Sequence, residues 1–259
     1  MAVDNDNRIA FIHIPKNAGK SIENALNLVS TENKRHKHQT SNHVARILFK
    51  LGKIFDEPNV RKKGFGASFI NVNLSHLTYL EMQHALKLSE DITKFAVVRN
   101  PYTRINSLFT HAGFKANSGK GVLESFSEFV GRFLDIKKIP SDYDSIALRR
   151  LQTMYIQGPS GMLHPDIELI SFENLKSEFL QFSTKHKLCL KELGWHEKEL
   201  GVPCGNSGIF SHWTLKDWEF VMRYYETDFS ELGYREIPFN ELRDLQVDSE
   251  RLKRCVRRS

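Results

Sequence analysis

The chain reads as an α/β protein: a three-layer sandwich with a central, mainly parallel sheet. Three observations lead there. Two apolar, β-branched runs, Ile9–Ile14 and Lys94–Arg99, have the near-continuous hydrophobicity of strands covered on both faces. Segments with apolar residues at helical spacing lie between and after them. The first run also passes through a tight small-residue turn straight into such a segment, the strand–turn–helix step from which parallel sheets are built.

The elements follow in order. Ile9–Ile14 is the first strand, and Pro15 stops it. Residues Lys16 to Ser21 form the turn, and Ile22, Ala25, Leu26 and Val29 predict a helix over 21–29. A second strand is expected at Ser68–Leu74, with a helix over 78–88. The strand Lys94–Arg99 leads into a helix over 102–110, which Pro101 is suited to start. Helices are expected over 124–134 and 145–155, a strand at Ile167–Phe172, then helices over 173–186 and 214–227. The last opens on Thr214-x-x-Asp217, a capping box.

At 259 residues the chain suits one domain, 1–259, with a basic insertion at about 31–63 and a basic carboxy-terminal helix at about 240–259. The insertion reads as a solvated, electropositive rim that attracts an acidic substrate. His36, His38 and His43 lie in it without a carboxylate or cysteine at ligand spacing, so no metal is expected. Gly113–Gly121 reads as a flexible stretch that could act as a lid. Net charge is +6 and the pI about 9.1, which suits an anionic ligand and is too mild to require nucleic acid. No run reaches the ~18 apolar residues of a transmembrane segment, and the polar start is unlike a signal peptide. Cys189, Cys204 and Cys255 match neither a disulfide framework nor a zinc site. These features suggest a cytoplasmic protein.

Two segments carry chemistry. In the first, Arg8 to Leu26, backbone N–H groups at a helix N-terminus converge with the side chains of Lys16, Lys20 and Ser21 to favour a phosphate-bearing cofactor. Gly19-Lys20-Ser21 matches the end of a nucleoside-triphosphate P-loop, but Ile14 stands where that motif needs its first glycine. The second is Phe95-Ala-Val-Val-Arg99-Asn-Pro-Tyr-Thr-Arg104-Ile-Asn-Ser107. Arg99 lies at the carboxyl end of a central strand, where open α/β sheets bind ligands, and can grip a phosphate bidentately. Ser107 follows two helical turns later.

Together these segments resemble the two cofactor loops of the sulfotransferases that use 3′-phosphoadenosine 5′-phosphosulfate (PAPS), closest to the membrane-type glycan branch and its bacterial relatives. Gln152 to Gly158, Ile170 to Leu175 and Tyr224 to Tyr234 resemble further family segments. The resemblance implies that Lys16, Asn17, Ala18, Gly19, Lys20 and Ser21 form a P-loop-like phosphosulfate-binding loop. It assigns the 3′-phosphate to Arg99 and Ser107. Asn17 and Lys20 stand where the family usually has threonine.

The implied reaction is in-line sulfuryl transfer from PAPS to an acceptor hydroxyl, leaving adenosine 3′,5′-bisphosphate and requiring no metal. Lys16 would stabilise the leaving oxygen, with Ser21 as a neighbouring donor. His76, in a turn after a strand, is the expected base, although Ser75 replaces the family's glycine. His13 competes from within the first strand, while His111 and His164 are weaker candidates. Asn206 and Ser207, in a glycine-rich stretch, are candidates for adenine contacts. Trp213 and Trp218 read as packing residues.

The expected acceptor is a carbohydrate, and the basic insertion suggests an anionic glycan. The lack of an anchor segment suggests a bacterial cytoplasmic enzyme, with a Golgi luminal domain lacking its membrane anchor as the alternative. The alternatives are a P-loop kinase or other nucleotide-binding enzyme, suggested by Gly19-Lys20-Ser21, and a non-catalytic polyanion-binding protein on the same fold.

Overall fold

The computed structural model describes residues 2–4, 9–26, 76–86, 88–117, 125–135, 143–188 and 210–243. The predicted strand Ser68–Leu74, the basic insertion at 31–63, Asn206 and Ser207, the three cysteines and residues 244–259 lie outside them. Among the described residues four strands form one sheet in the order β1 (Ala2–Asp4), β2 (Ile9–Ile12), β3 (Thr93–Val98) and β4 (Ile167–Ser171). Strands β2, β3 and β4 run parallel, while β1 lies antiparallel on β2.

The helices are α1 (Gly19–Ala25), α2 (Tyr79–Leu86), α3 (Pro101–Asn117), α4 (Phe126–Phe133), α5 (Tyr143–Arg149), α6 (Gln152–Ile156), α7 (Leu175–Lys185), α8 (Leu215–Tyr224), α9 (Glu226–Glu231) and α10 (Phe239–Arg243). Because strand side chains alternate, β2 and β3 feed two cores. Ile9, Phe11, Phe95 and Val97 pack on one face with Ile22 and Ala25 of α1 and Phe179 and Phe182 of α7. Ala10, Ile12, Ala96 and Val98 pack on the other with residues of α2, α3, α4, α6, α8 and α9. Helices therefore cover both faces, and neither strand has a face on which to carry a polar pattern.

Several element bounds differ from the sequence expectation. Strand β2 ends at Ile12 rather than Ile14 because the Ile14 N–H donates to the Ile12 carbonyl at 3.1 Å and leaves the ladder. This places His13 after the strand, not within it. Strand β1 went unrecognised: three residues of a polar start carry too short a pattern. Helix α3 continues through Gly113 to Asn117, so that part of the expected lid is helical; one interior glycine costs only about 1 kcal/mol. The rest of that stretch, residues 118–121, lies outside the described residues.

The expected helix over 145–155 is two, broken at Leu151, whose backbone is extended. The break turns the N–H groups of Gln152 and Thr153 onto the buried carboxylate of Asp228, at 2.9 and 3.0 Å. The expected helix over 214–227 likewise divides at Tyr225 into α8 and α9. Its start is as expected, with the Asp217 N–H donating to Thr214 Oγ1 and the Thr214 N–H to Asp217 Oδ2. Of the expected carboxy-terminal helix, α10 is the described part.

Candidate functional site

The parallel register levels the carboxyl ends of three strands. Ile12 pairs with Ala96 and Val98 with Ser171. The segments beginning at His13, Arg99 and Phe172 therefore leave the sheet along the same edge, where parallel α/β sheets bind ligands.

The turn after β2 is strained and firmly held. Lys16 and Ala18 have φ of 70° and 59°, the left-handed region that side chains other than glycine rarely adopt. Each such residue costs on the order of 1–2 kcal/mol, and neighbouring residues supply the compensation. The Pro15 carbonyl accepts from Arg104 Nε at 3.3 Å and the Lys16 carbonyl from Arg99 Nη1 at 2.9 Å. Asn17 Nδ2 donates to the Val97 carbonyl at 2.8 Å and to Gln152 Oε1 at 2.7 Å. The Asn17 side chain is thus turned inward to anchor the loop. Beyond it α1 opens at Gly19 with no side-chain cap and no acidic residue in its first turn, so its leading N–H groups have neither an intrahelical acceptor nor a first-turn carboxylate competing for them. Ser21 is buried at the start of α1, Lys16 half-buried and Lys20 exposed.

The second segment meets the first directly. The Arg99 guanidinium is buried, lies 4.0 Å from the centre of the Phe172 ring and accepts further orientation from Thr103, whose Oγ1 takes its Nε–H at 3.0 Å. Glu173, in the 3-10 turn Phe172–Asn174, accepts from the Asn100 N–H at 2.8 Å, the Ser171 hydroxyl at 2.9 Å and the Tyr234 hydroxyl at 3.2 Å. Burial raises its pKa, opposed by the Asn100 N–H and the nearby Arg99 charge. Ser107 sits in α3 and, like Ser21, is nearly buried, with a hydroxyl that has no hydrogen-bond partner among the described residues. Each hydroxyl is thus available to donate to a ligand.

Two histidines and a glutamate lie beside the turn. His13 Nδ1 is 2.9 Å from Glu23 Oε1, and its ring packs so close to Gly19 that a Cβ there would come within 1.7 Å of His13 Nε2. Burial raises the Glu23 pKa, but the hydrogen bond and charge of His13 outweigh it and leave the carboxyl below its ordinary value. The His76 ring meets His13 edge-on at 4.6 Å, and His76 Nδ1 is 3.3 Å from the His13 carbonyl. Since a carbonyl oxygen only accepts, Nδ1 carries the proton and Nε2 the lone pair. Burial, reinforced by His13, lowers the His76 pKa to about 3. His76 does not cap α2; Thr78 does, in a reciprocal pair with Glu81.

The remaining candidates are placed elsewhere. The His164 ring packs edge-on against Tyr79 at 4.5 Å, and His111 lies in α3. Trp213 and Trp218 pack as expected, donating to Asn106 and the Ile237 carbonyl. Among the described residues no cluster of three or more His, Cys, Asp or Glu side chains is placed to hold a metal ion, and no helix is long and apolar enough to cross a membrane. Gln152 and Glu173 escaped notice as site residues. Both fall in segments flagged by the family resemblance, but their bonds span 53 to 135 and 73 positions, which no local pattern encodes. A family model described as "Sulfotransferase family" matches residues 1–153 of the 259, a span containing both loops and His76. Comparison with curated proteins and with solved structures returns no match.

Proposed function

The chain belongs to the sulfotransferase family, and on that premise we propose that it transfers the sulfuryl group of PAPS to a hydroxyl of a carbohydrate, with His76 as the base. The observation that carries this reading is the contact between Arg99 Nη1 and the Lys16 carbonyl at 2.9 Å. It makes the two loops walls of one site, as a nucleotide with phosphates at both its 3′ and 5′ positions requires.

The donor set fits that ligand. Residues 15–21 supply Lys16, Lys20, Ser21 and helix N–H groups without a carboxylate, and the second loop adds Arg99 and Ser107. Lys16 to Ser21 hold the 5′ side, Asn17 by fixing the loop's shape. Arg99 and Ser107 hold the 3′-phosphate; five N–H donors let one guanidinium serve both the loop and a ligand. When bound, PAPS supplies a sulfuryl group whose bond to the phosphate oxygen breaks as the bond from the acceptor oxygen forms.

On this reading the Lys16 ammonium serves the leaving oxygen as it gains charge, which would stabilise the transition state more than the ground state. His76, neutral at rest, takes the acceptor proton on Nε2. His13, paired with Glu23 and packed on Gly19, fixes the carbonyl that orients His76. The acceptor is an anionic glycan, drawn by the chain's net charge of +6.

Calorimetric titration with adenosine 3′,5′-bisphosphate and with ATP–magnesium tests the cofactor assignment. Magnesium-independent binding of the bisphosphate is expected. Binding of ATP–magnesium alone would restore the kinase alternative. Transfer of labelled sulfate to acidic and neutral saccharides then tests the acceptor, with acidic ones expected to be preferred. A protein that binds polyanions but transfers nothing to any hydroxyl would be a binding module instead.

A further inference from the structure

We propose that Gln152 is the positioning residue that locks the two loops to each other, an inference that rests on reading those loops as the PAPS site. Its side chain is completely buried. Oε1 accepts from the Arg99 N–H at 2.8 Å and from Asn17 Nδ2 at 2.7 Å, while Nε2 donates to the Arg99 carbonyl at 2.7 Å. One amide therefore pairs with both backbone groups of Arg99, as a neighbouring strand would, and holds the first loop through Asn17. Glutamine alone among the neutral side chains offers a donor and an acceptor at this reach.

Gln152 is itself immobilised. It begins α6, and its N–H donates to Asp228 Oδ2 at 2.9 Å, while the Thr153 N–H and hydroxyl both donate to Asp228 Oδ1 at 3.0 Å. The Lys16 turn contains two left-handed residues, so its shape depends on such tertiary bonds. Without the Gln152 amide, the Asn17 side chain keeps only its bond to the Val97 carbonyl and the Arg99 backbone loses two partners. The separation of the two loops is then fixed less firmly, although Arg99 Nη1 still donates to the Lys16 carbonyl, and a ligand that needs both loops is penalised.

The test measures the Kd of adenosine 3′,5′-bisphosphate for the full chain and for Gln152→Leu, Gln152→Glu, Asn17→Ala and the Gln152→Leu/Asn17→Ala double variant, with thermal melting alongside. Gln152→Leu should weaken binding roughly 10- to 100-fold, the equivalent of one or two buried hydrogen bonds. The double variant should lose less than the product of the single losses, because the two residues share a bond. Gln152→Glu places a carboxylate oxygen against the Arg99 carbonyl, so its affinity should recover, relative to wild type, as falling pH protonates that oxygen and restores a donor. Lost fold stability alone would lower the melting temperature and the active fraction without changing the Kd of the folded protein, and would not produce that pH dependence.

Wild type that binds while Gln152→Leu and Gln152→Glu bind equally well overturns this inference and leaves the cofactor reading standing. If Gln152→Leu does not fold, the pH response of Gln152→Glu decides, and a response parallel to wild type overturns the proposal. Wild type that fails to bind the bisphosphate overturns the cofactor reading, and this inference with it.

Discussion

His76 shows how burial sets chemistry at a single side chain. Its pKa falls from the usual 6.5 to about 3, so the folded protein binds fewer protons there than the unfolded chain between those values. Stability contributed by this site is present above pH 6.5 and is lost as pH falls through that window. His76→Ala should therefore flatten the acid side of the stability profile, measured as unfolding free energy by denaturant at several pH values. The same depression keeps His76 unprotonated near neutral pH, as the proposed role of base requires. The acid limb of kcat/KM should accordingly lie below the roughly pH 6.5 of an ordinary histidine, and a limb at that value would exclude His76 as the base. In wild-type background His76→Ala should lower kcat about 100- to 10,000-fold while leaving bisphosphate affinity nearly unchanged. Lys16→Ala should lower kcat by about 100- to 1,000-fold, the usual effect of removing one charge-stabilising donor.

Between strand and helix, the close approach of His13 explains why Gly19 begins α1. Any Cβ at that position would collide with the imidazole. Gly19→Ala should destabilise the fold by about 1–3 kcal/mol, as forced overpacking does. Adding His13→Ala should return much of the lost melting temperature, and failure to do so would show that the ring is not the obstacle. Helix α6 in turn depends on Asp228 of α9, which accepts three hydrogen bonds from the first turn of α6. Burial raises the Asp228 pKa, opposed by Arg104 and those same donors. Asp228→Ala leaves two buried N–H groups without partners and should cost on the order of 3 kcal/mol, read from chemical denaturation.

For the molecule as a whole, the family match ends at residue 153, yet the site is held together by residues beyond it. Strand β4 pairs in parallel with β3, Phe172 stacks on Arg99, Glu173 binds the Asn100 N–H, and Asp228 anchors Gln152. Phe179 and Phe182 also fill the core over α1. A chain cut after residue 153 should therefore lack cooperative unfolding and native-like hydrogen-exchange protection in β3. Cooperative melting of that fragment would mean that the later residues only decorate the fold.

Much of this is legible in the sequence alone. Near-continuous hydrophobicity announced β2 and β3, and the small-residue turn and the arginine after the central strand marked both loops, because strand burial and turn chemistry are local properties. Spacing could not disclose that Asn17 faces inward, that Leu151 breaks a helix, or that Gln152 joins segments 53 and 135 positions away. Those outcomes depend on which distant donor meets which acceptor once water is excluded. Local composition thus specified which residues could meet an anion, and the packed interior settled which of them instead hold the others in place.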